Sequence, residues 1–481
     1  MDTQHRRILF AAIIVLAIFT RFPTLMSESL WFDEIWSLEK STGTIRDVFV
    51  GSTNDVHPPL YYILLHYWIE LVGISVTTLR FPSAVFSLIQ VALIYFLGRE
   101  LFDDHVGLLA AFLITLSTFH IQYAQEARMY ALLGCLTVAS YLFLIRIHRS
   151  RRARIGYVGF TILLMYTHVY GVFAVIAQNV YVIGSLLYQS DSPFEWRSWL
   201  PNQLILTISF LPWLFILFEQ VQRLQSGSTA SGWIPEPSIF VLGASILHFV
   251  GPLILLPVVF ALLLHYYINI SKIRDSINIV QLQELFAVDR NDFFLIIWFS
   301  MIIAIPLVLS IVVVPIFWSR FAIGAASALY LMIAKSIVSI DTDWIQVGIL
   351  LILILSSSFF LYGFYTSDQK IPWDDSTSYV ESNIENNAIV IGSTPTFHYY
   401  FNATGRNVTF GKDNSFSKIP TNHSQIWILS VRYDEKKSPK IDSIPEEYCV
   451  EETRTYRGNA GRFRGYNGEG ILDVLWFTRC A

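Results

Sequence analysis

The chain has 481 residues, of which 54% are hydrophobic and 15% charged, with a formal net charge of −4. Soluble globular chains carry about 25% charged residues, so this composition excludes an ordinary soluble protein and indicates one that crosses a membrane repeatedly. The slightly negative balance argues against a nucleic-acid partner.

The first element, MDTQHRR followed by ILFAAIIVLAIFT, has the basic end (Arg6, Arg7) and apolar run of a secretory signal. No small-residue cleavage site follows it; Arg21, Phe22 and Pro23 do. An uncleaved first span is therefore expected. Next comes SLWFDEIWSLEKS, residues 29–41, with Asp33 and Glu34 set between Trp31 and Trp36. The run LYYILLHYWIELVGI, which starts at Leu60, places His66 and Glu70 one helical turn apart. Its tyrosines and tryptophan favour a helix lying along the interface over a marginal span.

A crossing helix needs about 20 apolar residues. Such runs fall at 8–25, 79–98, 106–124, 129–147, 155–168, 170–188, 200–218, 250–269, 291–314, 321–338 and 344–364. The sequence thus predicts a mostly α polytopic membrane protein of about 11 transmembrane helices, with interfacial helices in the first outer loop. The runs either side of His168 read as a broken hairpin or as one kinked helix. The densest basic cluster is Arg146, Arg149, Arg151, Arg152 and Arg154. Placed in the cytoplasm by the positive-inside rule, it brings Arg6, Arg7, Arg99, Arg197, Lys272, Arg274 and Arg290 with it. Residues 26–78, the turns near 126, 168, 225 and 318, and the C-terminal tail then lie outside.

From about residue 366 polar residues become frequent and apolar runs shorten to strand length: NAIVIGS, QIWILSV, ILDVLWF. A stretch between Pro372 and Asn386 has helix character. The expected organisation is a transmembrane domain over 1–365 and a small soluble α/β domain over 366–481. Asn402-Ala403-Thr404, Asn407-Val408-Thr409 and Asn422-His423-Ser424 match the N-glycosylation pattern, which agrees with an extracytoplasmic tail. Of three cysteines, Cys135 lies in an apolar run and reads as packing. Cys449 and Cys480 lie in the tail, and their spacing does not decide whether they pair. No Cys/His metal spacing occurs.

A transporter keeps its rare charges near the bilayer midplane. Here they gather at the expected outer ends: Asp33 and Glu34 after the first span; His57 before Pro58 and Pro59; Gln125, Glu126 and Arg128 in QYAQEARMY; His168 in YTHVYG; Arg320 in FWSRF. Singly, each has a plainer reading: a solvated loop, a turn residue, a snorkelling arginine. Their occurrence on one side suggests a water-accessible cavity opening outward.

SLWFDEIWSLEKS, HPPLYYILLHYW, LRFPSAVFSLIQVALIYFLGRELF and QEARMYALL, in that order, resemble the GT-C membrane glycosyltransferases. Specifically, they resemble the family related to protein O-mannosyltransferases and the lipid A aminoarabinose transferases (glycosyltransferase family 39-like). It covers roughly residues 1–190; beyond them it rests on hydrophobic character and Arg320. The resemblance implies a hexosyltransferase that takes a sugar, foremost mannose, from a polyprenyl- or dolichyl-phosphate donor. The sugar would pass to a hydroxyl of a lipid-linked glycan or protein at the outer face of a cell or ER-type membrane.

The resemblance also implies that Asp33 is the catalytic acidic residue and that Glu126 matches the acidic residue of the second outer loop, where some relatives carry Asp. One carboxylate can act as general base on the acceptor hydroxyl, the role given to Asp33, with inversion at the anomeric carbon. Arg128 and Arg320 suit the leaving phosphate, with His57, His168 and Tyr123 as further donors. Glu34 and Glu126 would position the acceptor, orient Arg128 or hold a metal. No cofactor is required, and a divalent metal is left open. The rival reading is a transporter or flippase for polyprenyl-linked lipid.

Overall fold

The computed structural model describes residues 2–188, 192–226, 234–251, 289–392, 394, 396–402, 409–410, 423–432, 447–458 and 470–480. The chain divides into two units: Met1–Pro23 with Lys40–Leu361, and Thr24–Glu39 with Tyr362–Ala481. Segment 24–39, expected with the transmembrane domain, therefore packs with the tail. The expected span 250–269, Lys272, Arg274 and parts of all three sequons lie outside the described residues.

The larger unit is helical. In chain order its first elements are α1 (Thr3–Arg21), the end of α2 (Phe32–Ser41), α3 (Ile45–Thr53), α4 (Leu60–Val72), α5 (Val76–Leu101), α6 (Asp104–Leu116) and α7 (Thr118–Ala124). Then come α8 (Tyr130–Ile145), α9 (Arg151–Met165), α10 (Tyr170–Tyr188), α11 (Trp196–Gln225) and α12 (Ile239–Val250). After α13 (Arg290–Val312), a 3-10 turn (Ser319–Ala322) leads into α14 (Ile323–Val338) and α15 (Asp343–Thr366). Ends are set by local chemistry. The Asp2 carboxylate caps α1, and Ser75 and Thr44 close capping boxes on α5 and α3,.

Among the described residues, seven helices are long and apolar enough to cross a membrane, or eight if the bent pair α6–α7 counts as one. The expected eleven is not reached. One expected span lies outside the described residues. The helices α8 and α9 have 16 and 15 residues, which at about 1.5 Å per residue stop short of a hydrocarbon core of about 30 Å. The runs flanking His168 form two helices, α9 and α10, so the hairpin alternative holds. The expected span 106–124 is broken: α6 and α7 are bent by 64°. Ser117 takes extended angles there and caps the new helix by accepting from His120 N.

Apolar stripes on the helical surface mark the protein as an integral membrane one. Leu204, Ile208, Phe215 and Phe218 are exposed on α11, and Trp344, Leu351, Leu355 and Phe359 on α15. Such stripes are costly in water and matched in lipid. Where α5 crosses α6, Gly98 and Gly107 let the backbones touch; a Cβ on Gly98 would stand 2.8 Å from Gly107 Cα,. Ion pairs gather at one end of the unit. Arg6 reaches Asp104 (2.8 Å), Arg146 and Arg149 share Glu100, and Lys335 holds Asp292 (2.6 Å). These include basic residues whose charge set the expected cytoplasmic side.

The smaller unit holds α16 (Trp373–Asn383), β1 (Ala388–Gly392), α17 (Thr396–Asn402), β2 (Thr409–Phe410), β3 (Gln425–Arg432), β4 (Tyr448–Gly458) and β5 (Gly470–Arg479). The sheet order is β2-β1-β3-β5-β4, with β1 parallel to β2 and β3, and β5 antiparallel to β3 and β4. The three apolar runs read as strands are β1, β3 and β5. Alternate residues of β3 enter opposite cores. Trp427 and Leu429 join Trp373, Val390 and Phe397, while Ile426 and Ile428 join Tyr448 and Phe477. Burial on both faces explains the unbroken apolar run.

A disulfide joins Cys449 of β4 to Cys480, just past β5, across a sequence separation of 31. Replacing both cysteines with serine should destabilise this unit by about 3–4 kcal/mol through lost chain restriction. Protease cleavage of the tail at intermediate urea should then begin earlier, with the spanning helices still intact.

Candidate functional site

In the helical unit, four chain segments meet at the end opposite the ion pairs. The first is the His57-Pro58-Pro59 approach to α4. The proline at 58 keeps His57 out of helical angles, and Leu60 N donates to Tyr166 O (3.0 Å), tying α4 to the turn after α9. Gln220 and Arg223 of α11 donate to backbone carbonyls of residues 52–55, Arg223 Nη2 reaching Thr53 O at 2.7 Å. The second segment is the α9–α10 turn itself, carrying His168, whose Nδ1 accepts from Tyr170 N (3.2 Å).

The third segment is the α7–α8 turn with Glu126 and Arg128. Its geometry follows from the α6–α7 break. Arg21 is fully buried beside it and donates to Ile114 O (3.0 Å), Thr115 O (3.2 Å) and Ser87 Oγ (2.9 Å). Gln125 Nε2 reaches back to Arg21 O (3.3 Å). The fourth segment is the 3-10 turn carrying Arg320; the preceding chain is held by Tyr170 Oη donating to Ile316 O (3.0 Å).

Rings bring these segments together. His57 and His168 lie 4.9 Å apart between centroids, and His168 and Phe321 also 4.9 Å. Tyr130 packs 5.2 Å from Tyr123, 5.9 Å from Phe321 and 6.3 Å from His168. Two guanidinium groups approach the Tyr130 ring, Arg320 at 5.3 Å and Arg128 at 5.9 Å, within cation–π range. His57, Tyr123, Glu126, Arg128, Tyr130, His168 and Arg320 are all buried. Six of these were expected site residues. Tyr130 was missed, although it ends the QYAQEARMY stretch; an aromatic at the start of an apolar helix carries no signal separating it from packing.

His57 Nδ1 and His168 Nε2 are buried with no hydrogen-bond partner among the described residues. Burial, and then the positive charges of Arg128 and Arg320, hold the pKa of His57 well below the ordinary 6.5. His168 is depressed by burial, then by His57 and the same two arginines, against a smaller opposing pull from Asp55. Both imidazoles are therefore neutral near pH 7, each able to donate one hydrogen bond and accept another.

In the smaller unit, α2 begins at Phe32 with Trp31 as its N-cap residue. Glu34 is completely buried. Its Oε2 accepts from Trp31 N (3.3 Å), the back half of a capping box, and from Lys370 Nζ at 2.8 Å,. Successive helix residues point about 100° apart, so Asp33, half buried, faces a different direction. Glu34, expected to handle acceptor, arginine or metal, has its carboxylate against Lys370. Removing one partner of a buried pair costs about 3–5 kcal/mol. Lys370 was missed, since a lone lysine far away in sequence gives no sign of its partner. Among the described residues no group of three or more His, Cys, Asp or Glu side chains could hold a metal ion.

A sequence profile for the family described as dolichyl-phosphate-mannose-protein mannosyltransferase matches residues 56–216. It takes in His57, Tyr123, Glu126, Arg128 and His168, but neither Asp33 nor Arg320. Comparison with curated proteins gives no match. Among solved structures, ArnT from Cupriavidus metallidurans bound to undecaprenyl phosphate aligns over 98% of this chain and 98% of its own, at 12% identity and a TM-score of 0.53. Its apo state aligns over 89% and 93%, at 13% identity and 0.54. The apo Archaeoglobus fulgidus oligosaccharyltransferase aligns over 83% of this chain and 64% of its own, at 11% identity and 0.54. At these identities the likeness is one of fold. With the matched segment, it bears out the resemblance to GT-C membrane glycosyltransferases.

The depressed histidines set a pH dependence. Below about 6.5 the unfolded chain takes up protons that the folded site refuses, so stability falls as pH drops toward the lowered folded values,. The thermal midpoint in detergent should decline from pH 7 to pH 5, and His57→Gln with His168→Gln should flatten that decline. An unchanged slope in the double variant would show that other groups carry it.

Proposed function

We propose that this protein is a glycosyltransferase that takes a sugar from a polyprenyl-phosphate donor, with mannose the foremost candidate, and passes it to an acceptor hydroxyl with inversion. The observation that carries the reading is the convergence of Arg128 and Arg320 on Tyr130, beside two neutral histidines, at one end of an apolar helical unit. A lipid-linked donor keeps its tail in the bilayer and offers its phosphosugar at the surface, so a site at a bundle end suits it. The match to a dolichyl-phosphate-mannose-dependent family, and the shared fold with a protein that binds undecaprenyl phosphate, support the same donor class. The tail disulfide favours an oxidising, extracytoplasmic side for the smaller unit,.

In the reaction, the acceptor oxygen forms a bond to the anomeric carbon as the bond from that carbon to the phosphate oxygen breaks. Asp33 takes the hydroxyl proton as general base. The lipid phosphate leaves as an anion and needs no proton from a second acid. The guanidinium groups of Arg128 and Arg320 offset its growing charge, acting strongly in a low-dielectric site. His57, His168 and Tyr123 add neutral hydrogen bonds. Glu126 orients the α7–α8 turn, and Glu34 holds the helix that bears Asp33. Acceptors of this chemistry are hydroxyls of a protein or of a lipid-linked glycan.

Purified protein given labelled donor and acceptor should release free polyprenyl phosphate. Asp33→Asn should lower turnover by at least about 100-fold with expression intact, and Arg320→Ala by about 100-fold through weakened leaving-group stabilisation. Movement of intact donor across vesicles without release of polyprenyl phosphate would instead identify a flippase.

A further inference from the structure

We propose that the first turns of α9 and α11 form a binding site for the headgroup of an anionic phospholipid, at the end of the helical unit opposite the arginine–histidine cluster. The two helices run parallel and side by side. Gln203 Nε2 donates to Tyr157 Oη (3.1 Å), and the Tyr157 and Trp199 rings lie 5.6 Å apart. Further along both helices, Tyr166 Oη donates to Ser209 O (2.8 Å). Equal rise per residue keeps this register, so residues 150–154 lie level with residues 195–199. Those two turns carry Arg151, Arg152, Arg154 and Arg197 against one carboxylate, Glu195, and all four arginines are exposed. Arg146 and Arg149, just before them, share Glu100. The four arginines enter no ion pair among the described residues.

Each set of arginines heads an apolar strip. In α9, Ile155 and Leu163 share the face of Arg151 and Arg152 and are 62% and 40% exposed,. In α11, Leu200, Leu204, Ile208 and Leu211 follow Arg197 on one face, all exposed. A cationic layer above apolar strips matches an amphiphile whose anionic head adjoins its acyl chains. The length of α9 adds to the match. Its 15 residues, at about 1.5 Å each, span less than a hydrocarbon core of about 30 Å. The arginines heading it are therefore drawn toward the depth of the lipid phosphates. A guanidinium at that depth is costly alone and binds phosphate oxygens bidentately. The positive ends of two parallel helices act in the same direction. A free anion would use the arginines and leave the strips without a role, so a lipid is the fitting occupant.

The test titrates full-length protein in neutral detergent with phosphatidylglycerol or phosphatidylcholine and measures bound lipid by native mass spectrometry. Wild type should bind phosphatidylglycerol at least about tenfold more tightly than phosphatidylcholine. Arg197→Gln should weaken phosphatidylglycerol by about fivefold, and Arg151→Gln, Arg152→Gln and Arg154→Gln combined by about 100-fold. The same three positions changed to lysine keep their charge and should keep most of the affinity. Arg7→Gln removes an exposed charge from α1 at the same end and should change the affinity by less than about twofold, because the attraction fades within a Debye length. Millimolar glycerol phosphate should leave the lipid bound. Thermal midpoints of all variants in neutral detergent should match wild type, since the altered side chains are exposed.

Equal affinity of wild type for the two lipids overturns the proposal. So does wild-type affinity in Arg197→Gln and in the glutamine triple variant. A loss in Arg7→Gln as large as that in Arg197→Gln marks bulk surface charge and overturns the site. A lysine triple as weak as the glutamine triple overturns it too, since charge would not be what binds. Displacement by glycerol phosphate assigns the arginines to a free anion and removes the lipid. Should the glutamine triple unfold, Arg197→Gln and the lysine triple decide the same question. None of these outcomes depends on glycosyltransferase turnover.

Discussion

A guanidinium buried in an apolar helical unit is tolerable only when its N–H groups meet oxygens. Arg21 satisfies this by ending one helix and breaking another. Its Nε meets Ser87 Oγ, and its terminal nitrogens meet Thr20 Oγ1 and the carbonyls of Ile114 and Thr115. Those carbonyls are left without helical partners where α6 stops. The break and the arginine therefore explain each other. A continuous helix over 104–124 would deny Arg21 the carbonyls of Ile114 and Thr115,.

The bend decides where the polar residues stand. Because α7 turns by 64° after Ser117, the Gln125–Met129 turn lies beside the end of α1, and Gln125 bonds the carbonyls of Thr20 and Arg21. Arg128 and Tyr130 then meet Arg320, His57 and His168 from three other segments. The arrangement keeps cations against aromatic faces and leaves the imidazoles neutral. Tyr130 is the common wall of this cluster, touching both arginines and three rings.

The smaller unit follows a parallel logic with the charges reversed. Here the buried group is a carboxylate, Glu34, and the compensating charge is Lys370. Segment 24–39 is covalently part of the N-terminal region yet belongs by packing to the tail. The sheet supplies the rigidity: both faces of β3 are buried and the β4–β5 edge is closed by a disulfide. The acid-bearing helix thereby starts from a fixed base.

Much of this protein was legible in sequence. Run length and charge pattern are local properties, so most spanning helices and the strands around Ile389, Ile428 and Leu475 could be read directly. Of the residues gathered around Tyr130, His57, Glu126, Arg128, His168 and Arg320 stand out in sequence, because a charge or histidine at the end of an apolar run is anomalous in itself. Tyr130 and Lys370 do not, because an aromatic at a helix start and a lysine in a polar stretch are ordinary until their neighbours are known. By itself the sequence determined a membrane protein with polar residues gathered at the ends of apolar runs and a small α/β tail. Only the tertiary structure decided that the 106–124 run breaks, that Glu34 turns inward, and that residues 24–39 join the tail. Each of those outcomes depends on a buried charge finding a partner distant along the chain, and no local pattern encodes such a pairing.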